Sequence, residues 1–281
     1  MTPLRRRMIE DLRIRGLSQC TIDAYIGAVE RFARYFKRSP AQLGKEQVRA
    51  FQVHLTCERH LSAATLNVYV SALRFLYTIT LGKDWDMRAI PYAKTPKKLP
   101  TVLTQDEVLR LFAATTNLKH RAIIMTTYAA GLRASEVASL RIADIDSVRM
   151  LIHVRQGKGG KDRLVPLSPA LLGPLRNYYR AYRPEHWLFP GQDGKRHINS
   201  RSIHRSLDKP AVAALGHPVN PHVLRHSCAT HMLEAGVGIC VVQGFLGHRR
   251  QSSTDRYSHV TREQITATKS PLDLIADALL L

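Results

Sequence analysis

Acidic residues are scarce in this chain. Against 42 Lys and Arg stand only 22 Asp and Glu, a formal net charge of +20 in 281 residues. Such an excess repels itself unless a polyanion meets it, so a simply basic protein without a partner is the weaker reading. The imbalance is not a tail: residues 1–98 hold 18 basic and 8 acidic groups, residues 99–281 hold 24 and 14. The polyanion is therefore expected along the whole molecule. An anionic membrane suits it less, because no basic amphipathic stretch stands out from the rest. Cysteines are few as well. Cys20, Cys57, Cys228 and Cys240 form no CxxC pair, which excludes a disulfide framework and reads as reduced, mostly core thiols. No apolar run approaches bilayer length, and "MTPLRRRMIEDLRIRG" at the start lacks the apolar core of a secretory signal. Cytoplasmic residence is the expectation. Internal repeats are absent too.

What is present is helical periodicity, with 44% hydrophobic residues available to build cores. Leu4, Met8 and Leu12 share one face, and Gly16 follows as a stop. Ser18 can cap a second helix carrying Ile22, Ile26, Val29, Ala33 and Phe36, which Ser39-Pro40 interrupts. Val48, Phe51 and Leu55 mark a third. Ser62 can cap a fourth, with Leu66, Val70, Leu73 and Tyr77 on one face and Gly82 at its end. Residues 1–88 are thus expected to form a four-helix domain with arginines on its outer faces. "AIPYAKTPKKLPTVLT" has three prolines, three lysines and no periodicity, so residues 89–103 read as an extended linker. A second domain, 104–281, opens on a capping-box pattern, Thr104 with Glu107. A helix is expected over about 118–130. "MLIHV" (150–154) and "RLVPL" (163–167) read as strands joined by the glycine-rich turn "RQGKGGKD". Ser168 and Ser200 can start further helices, and Pro210 is expected to interrupt the second of them. Asn220-Pro221 launches another, ended by Gly236. The fold class is mainly α with a small β-sheet.

Four places can carry chemistry. His222 and Arg225 are three apart on one helix and share a face, while Leu224, Cys228 and Met232 step along a core face. Arg grips phosphate oxygens at two points, and His moves a proton near neutral pH. His222 and His226 also have the i,i+4 spacing of zinc-binding helices. However, no Glu follows His222, and Cys228 and His231 point elsewhere, which argues against a metal. Arg133 sits in "AAGLRASEVASL" at a glycine-marked break, with Glu136 placed to orient it. Lys158 and Lys161 lie on the hairpin turn. In "LGHRRQSSTDRYSHV", Gly247 ends a helix and leaves His248 at a junction. Ser252 or Ser253 can then cap a short helix bearing Tyr257.

In order and in spacing, Arg133 in "GLRASE", the "GKGGKDR" hairpin, His222 and Arg225 in "HVLRHSCATH", and His248 and Tyr257 in "LGH…DRYSHV" resemble the tyrosine recombinases, the phage integrase and Xer-type family. The likeness spans nearly the whole chain. It implies that the N-terminal half is a helical core-binding domain and the rest an α+β catalytic domain. It implies a site-specific DNA recombinase that cleaves and rejoins strands. Tyr257 would be the nucleophile, forming a 3′-phosphotyrosyl link and a free 5′-hydroxyl. Arg133 and Arg225 would hold the non-bridging oxygens. His222 would relay a proton, His248 would bond the scissile phosphate, and Lys158, with Lys161 as rival, would protonate the leaving oxygen. Glu136 would support Arg133. The link conserves the bond energy, so no nucleotide cofactor is implied, nor any metal. The implied partner is double-stranded DNA with a specific recombination site, bound by a homo-oligomer, a tetramer, with no membrane involved.

Departures from the family pattern are Pro210, Gly244-Phe245 before "LGH", and the basic Arg249-Arg250-Gln251. Arg249 and Arg250 are expected to touch DNA backbone near the cleavage point. Arg201, Arg205 and Lys209 form one helical stripe expected to enter a DNA groove. No long N-terminal arm-binding extension is seen, which suggests a simple recognition site. The apolar "PLDLIADALLL" needs a surface, either its own domain or, by the resemblance, a neighbouring protomer. Rival functions are a type IB topoisomerase, a non-catalytic DNA-binding regulator on the same fold, and a metal-dependent hydrolase built on the histidine-rich helix.

Overall fold

The computed structural model describes residues 1–85, 90–96, 100–155, 162–247 and 268–275. The chain divides into two compact units, Met1–Lys98 and Leu99–Leu281.

The first unit is helical. Its helices are α1 (Pro3–Ile14), α2 (Gln19–Phe36), α3 (Lys45–Val53) and α4 (Ala63–Phe75). Ser18 and Ser62 accept the backbone N–H of Thr21 and Thr65, the N-cap geometry that their sequence positions suggested. Helices α3 and α4 each end in a wider π turn, His54–Glu58 and Leu76–Thr80. Met8, Leu12, Phe32, Val48, Val70 and Leu73 are among the fully buried side chains of this core. In α2 the buried face takes Phe32, while Val29, Ala33 and Phe36 remain at its margin. Arg5, Arg6, Arg7 and Arg13 stay on the outside of α1.

The proline-rich segment that follows is pinned to this unit where it is described. Arg74 Nε donates to the Ile90 carbonyl at 2.9 Å, and Ala93 N–H donates to Asn67 Oδ1 at 2.8 Å. Further on, Leu103 is buried in the second unit, its N–H on Ser227 Oγ at 2.8 Å.

The second unit builds its core around α6 (Leu118–Ala129), whose last eight residues are all buried. Helices α5 (Gln105–Ala114), α8 (Pro169–Tyr182), α9 (Ser200–Leu215) and α10 (Pro221–Glu234) pack about it. The short α7 (Ala134–Ala138) and α11 (Ile239–Leu246) complete the site region. A three-stranded antiparallel sheet, β1 (Ile145–Asp146), β2 (Leu151–Val154) and β3 (Arg163–Pro166), lies in the order β1-β2-β3. The β2–β3 register pairs Ile152 with Val165 and Val154 with Arg163.

Three expectations need correction. Pro210 does not interrupt α9, which runs through it to Leu215. A proline costs its helix one N–H bond and presses on the preceding turn, but Leu207 and Ala211 flanking it are fully buried. Packing therefore holds the helix together. The cap of α9 is Asn199, not Ser200: the Asn199 side chain accepts the N–H of Arg201. The cysteines are free, but only Cys228 is buried; Cys20 and Cys57 are exposed and Cys240 is half-buried.

Part of the C-terminal apolar segment docks on its own unit. The short α12 (Pro271–Leu274) buries Leu272 in the core, and Ile275, which caps its C-terminus, is buried there as well. Ser270 Oγ donates to the Ala129 carbonyl at 2.7 Å, and Asp273 accepts from Ser168 Oγ and from Ala170 N–H. Among the described residues no helix is long and apolar enough to cross a membrane.

Candidate active site

Where α6 ends, the chain must turn sharply into α7. Gly131 makes that turn with φ +56°. A Cβ there would sit 2.5 Å from Leu246 Cδ2 and 3.2 Å from Cys228 Sγ, so glycine lets the α6 terminus close on α10 and α11. The turn places Arg133 at the N-cap of α7. Glu136, at the third position of that helix, reaches back. Its Oε2 accepts the Arg133 backbone N–H at 3.0 Å, and its Oε1 accepts from Arg133 NH1 at 2.6 Å.

Glu136 is only 5% exposed and collects more than one cation. Arg163 grips it with both terminal nitrogens, at 3.0 and 2.9 Å, and Arg225 NH1 lies 3.8 Å away. Burial alone would raise the Glu136 pKa. The hydrogen bonds and charge of Arg163, then those of Arg133, more than offset it and bring the carboxyl down to about 2. Arg225 is buried on α10 because it stands on the core-facing side next to Leu224 and Cys228. Its NH1 donates to the Gly131 carbonyl at 2.5 Å and its NH2 to the Leu246 carbonyl at 2.6 Å. Burial, then the charge of Arg133, lowers its pKa to about 10, still cationic at neutral pH.

The C-terminal end of α11 sits against these three arginines. Its last carbonyls have no helical partner. Phe245 O accepts from Arg163 Nε at 3.1 Å, Leu246 O from Arg225, and Gly247 O from Arg133 NH2 at 3.5 Å. Gly247, with φ +65°, then leads the chain away toward residue 248. One buried carboxylate thus faces three guanidiniums, which leaves two positive charges in excess. An anion carrying about two negative charges would balance them.

His222 stands exposed at the lip, in the first turn of α10, its backbone N–H held by Asn220 Oδ1 at 2.9 Å. Burial against the surrounding protein lowers its pKa first, then the electrostatic influence of the neighbouring His204, His226, Arg225 and Arg133 side chains. At neutral pH it is therefore uncharged and able to accept a proton. His226 is exposed as well, whereas His231 is buried with Nδ1 on Tyr128 OH at 2.7 Å. Burial pushes the Cys228 thiol up to about 12. Among the described residues no group of three or more His, Cys, Asp and Glu converges as a metal site.

The structure therefore brings Arg133, Glu136, His222 and Arg225 together. Arg201, Arg205 and Lys209 are exposed along α9. Lys158, Lys161, His248, Arg249, Arg250 and Tyr257 lie outside the described residues. The last described residues before and after the hairpin turn are held. Arg155 Nε pairs with the buried Asp144 at 2.6 Å, and His153 pairs with Asp162 at 3.2 Å. Sequence reasoning missed Arg163. Its signal was its phase, since it alternates with Val165 on the face where Ile152 and Val154 are buried.

Residues 101–264 match the family model described as "Phage integrase family", and residues 4–87 match its N-terminal SAM-like domain. The chain belongs to the phage integrase family, the tyrosine recombinases. This family member is 43% identical over 277 residues to a putative integrase/recombinase of Sinorhizobium fredii, covering 98% of this chain and 90% of the relative. It is 35% identical over 269 residues to the tyrosine recombinase XerA of Thermococcus kodakarensis, covering 94% and 93%. Among solved structures, a XerA recombinase shares 26% identity at a TM-score of 0.51, with 93% of this chain and 94% of that one covered. A lambda integrase tetramer bound to a Holliday junction shares its fold at a TM-score of 0.72, with 19% identity and 90% and 79% covered.

Proposed function

We propose that this integrase-family chain is a site-specific DNA recombinase whose nucleophile is Tyr257. The observation that carries the reading is the buried arginine cluster with its excess of two positive charges. Arg133 and Arg225 would take the non-bridging oxygens of a scissile phosphodiester, whose pentacoordinate transition state bears two negative charges. The Tyr257 oxygen attacks phosphorus, and its proton passes to His222, which is neutral at pH 7. The P–O5′ bond breaks as Lys158, or Lys161 from the same turn, gives a proton to the leaving oxygen. The products are a 3′-phosphotyrosyl bond and a 5′-hydroxyl. A 5′-hydroxyl from the partner strand attacks the same phosphorus, expels Tyr257 and regenerates the enzyme. No bond energy is lost, so no nucleotide is consumed. His248, one residue after the carbonyl tied to Arg133, would bond the phosphate.

Relatives of this fold are solved as a lambda integrase dimer on a core site and as a tetramer on a Holliday junction. The same partners are proposed here: double-stranded DNA with a specific site, and a homo-tetramer assembled on it. The proposed place of action is the cytoplasm.

The decisive experiment is covalent capture. Wild-type protein is mixed with a randomised library of nicked duplexes, and protein-linked DNA is recovered and sequenced. A recurrent cleaved site is expected, with no adduct from Tyr257→Phe. An adduct that persists in Tyr257→Phe would falsify the nucleophile assignment. Relaxation of plasmids lacking that site, without exchange between paired sites, would instead indicate a topoisomerase.

A further inference from the structure

Strand β3 begins with a charge on its inward face. Arg163 pairs with Val154 across the sheet and is in phase with the buried Val165, and its side chain is 13% exposed. All three guanidinium nitrogens are engaged, two on the oxygens of Glu136 and the third on the Phe245 carbonyl. A Cβ on Gly247 would stand 3.1 Å from Arg163 Cδ, so the side chain lies flat against the backbone leaving α11. One residue thus touches the hairpin, the α7 carboxylate and the α11 terminus.

We propose that Arg163 is a positioning residue that clamps these three elements into one reacting geometry. The inference rests on the recombinase reading, in which Lys158 lies on the turn before β3 and His248 follows Gly247. Arg163 sets the start of β3 against Glu136, while Arg155 on Asp144 fixes the end of β2. Through Glu136 it also fixes the Arg133 guanidinium. Through Phe245 and Gly247 it fixes where the chain toward His248 and Tyr257 departs. The contacts use the planar fork of arginine, its two terminal nitrogens on the two Glu136 oxygens and Nε on the Phe245 carbonyl, which a lysine ammonium cannot reproduce.

Arg163→Gln, Arg163→Lys, Glu136→Gln and the Arg163→Gln/Glu136→Gln double variant are compared with wild type. Without DNA, hydrogen–deuterium exchange at Phe245–Gly247 should quicken about tenfold or more in Arg163→Gln, as a charged hydrogen bond is lost, while α6 stays protected. With the captured site, single-turnover adduct formation should slow about 100-fold. DNA affinity should stay within about twofold, because Arg163 is turned to protein rather than to phosphate. Arg163→Lys should slow the step comparably, although it keeps the charge. The double variant should be no slower than the slower single variant, since both break one unit. Unchanged exchange at α11, full rescue by Arg163→Lys, or additive losses would each overturn the clamp. Should Arg163→Gln fail to fold, Arg163→Lys supplies the same comparisons. If wild type forms no adduct with any duplex, the recombinase reading fails, and the exchange measurement alone decides the clamp.

Discussion

At the scale of single residues, the charge balance of the site turns on Glu136. A carboxylate buried to this degree survives as an ion only because cations replace the lost water. Its pKa of about 2 lies below the ordinary 4.5, so the folded state holds the proton less readily than the unfolded chain does. The resulting stabilisation is fully present above pH 4.5 and is lost as pH falls toward 2, an effect of about 3 kcal/mol. Replacing Glu136 by Gln keeps the shape but leaves three guanidiniums facing an amide. Glu136→Gln is expected to destabilise the protein by about 3 kcal/mol at pH 7. It should also flatten the stability profile between pH 4.5 and 2. Urea denaturation at half-unit pH intervals checks both. An unchanged acid slope in the variant would assign the acid sensitivity to other carboxylates. The site residues were legible to different degrees. Arg133, Glu136, His222 and Arg225 announce themselves by local signals: a glycine break, an N3 glutamate, an i,i+3 pair. The side-chain hydrogen bonds of Arg163 run across long sequence separations, to Glu136 and Phe245, and no local spacing encodes those partners.

At the scale of elements, the site depends on how closely α6, α10 and α11 approach, and Gly131 sets that distance. Two penalties meet there: a left-handed backbone and a Cβ 2.5 Å from Leu246. Gly194 has the same backbone sign, φ +68°, with nothing within 4 Å. The pair separates conformation from packing. Gly194→Ala is expected to cost about 1 kcal/mol, the conformational part alone. Gly131→Ala should cost about 3 kcal/mol, because Leu246 or the turn must shift. Gly131→Ala should also weaken the Arg225 anchor, since Arg225 donates to the Gly131 carbonyl. Equal losses in the two variants, measured by chemical denaturation, would mean that α11 yields freely. Elements with local signals were readable from the sequence: the Ser18, Ser62 and Thr104 caps, the glycine stops and the alternation of β2 and β3. Pro210 misled because its local cost is real, but the burial of Leu207 and Ala211 outweighs it. Burial of that kind is a property of the tertiary fold.

At the scale of the whole molecule, the excess of ten positive charges in each half is an expectation about salt. Every phosphate neutralised by a Lys or Arg releases counterions, so the logarithm of affinity falls with the logarithm of salt by about 0.9 per contact. The stripe of Arg201, Arg205 and Lys209, exposed on α9, would supply a discrete part of that slope. If all three touch phosphate, replacing them with alanine should reduce the slope by about 3 and weaken all sequences alike. If Arg201 or Arg205 instead reads a base edge, the slope changes less and preference at one or two positions of the captured site relaxes by about 1–3 kcal/mol per base pair. Fluorescence anisotropy on the captured site and on a scrambled duplex, each from 0.05 to about 0.3 M salt, separates the two. Identical slope and identical preference in the triple variant would remove α9 from the DNA interface. The excess charge of the second unit would then have to act elsewhere, beginning with Arg249 and Arg250 beside His248.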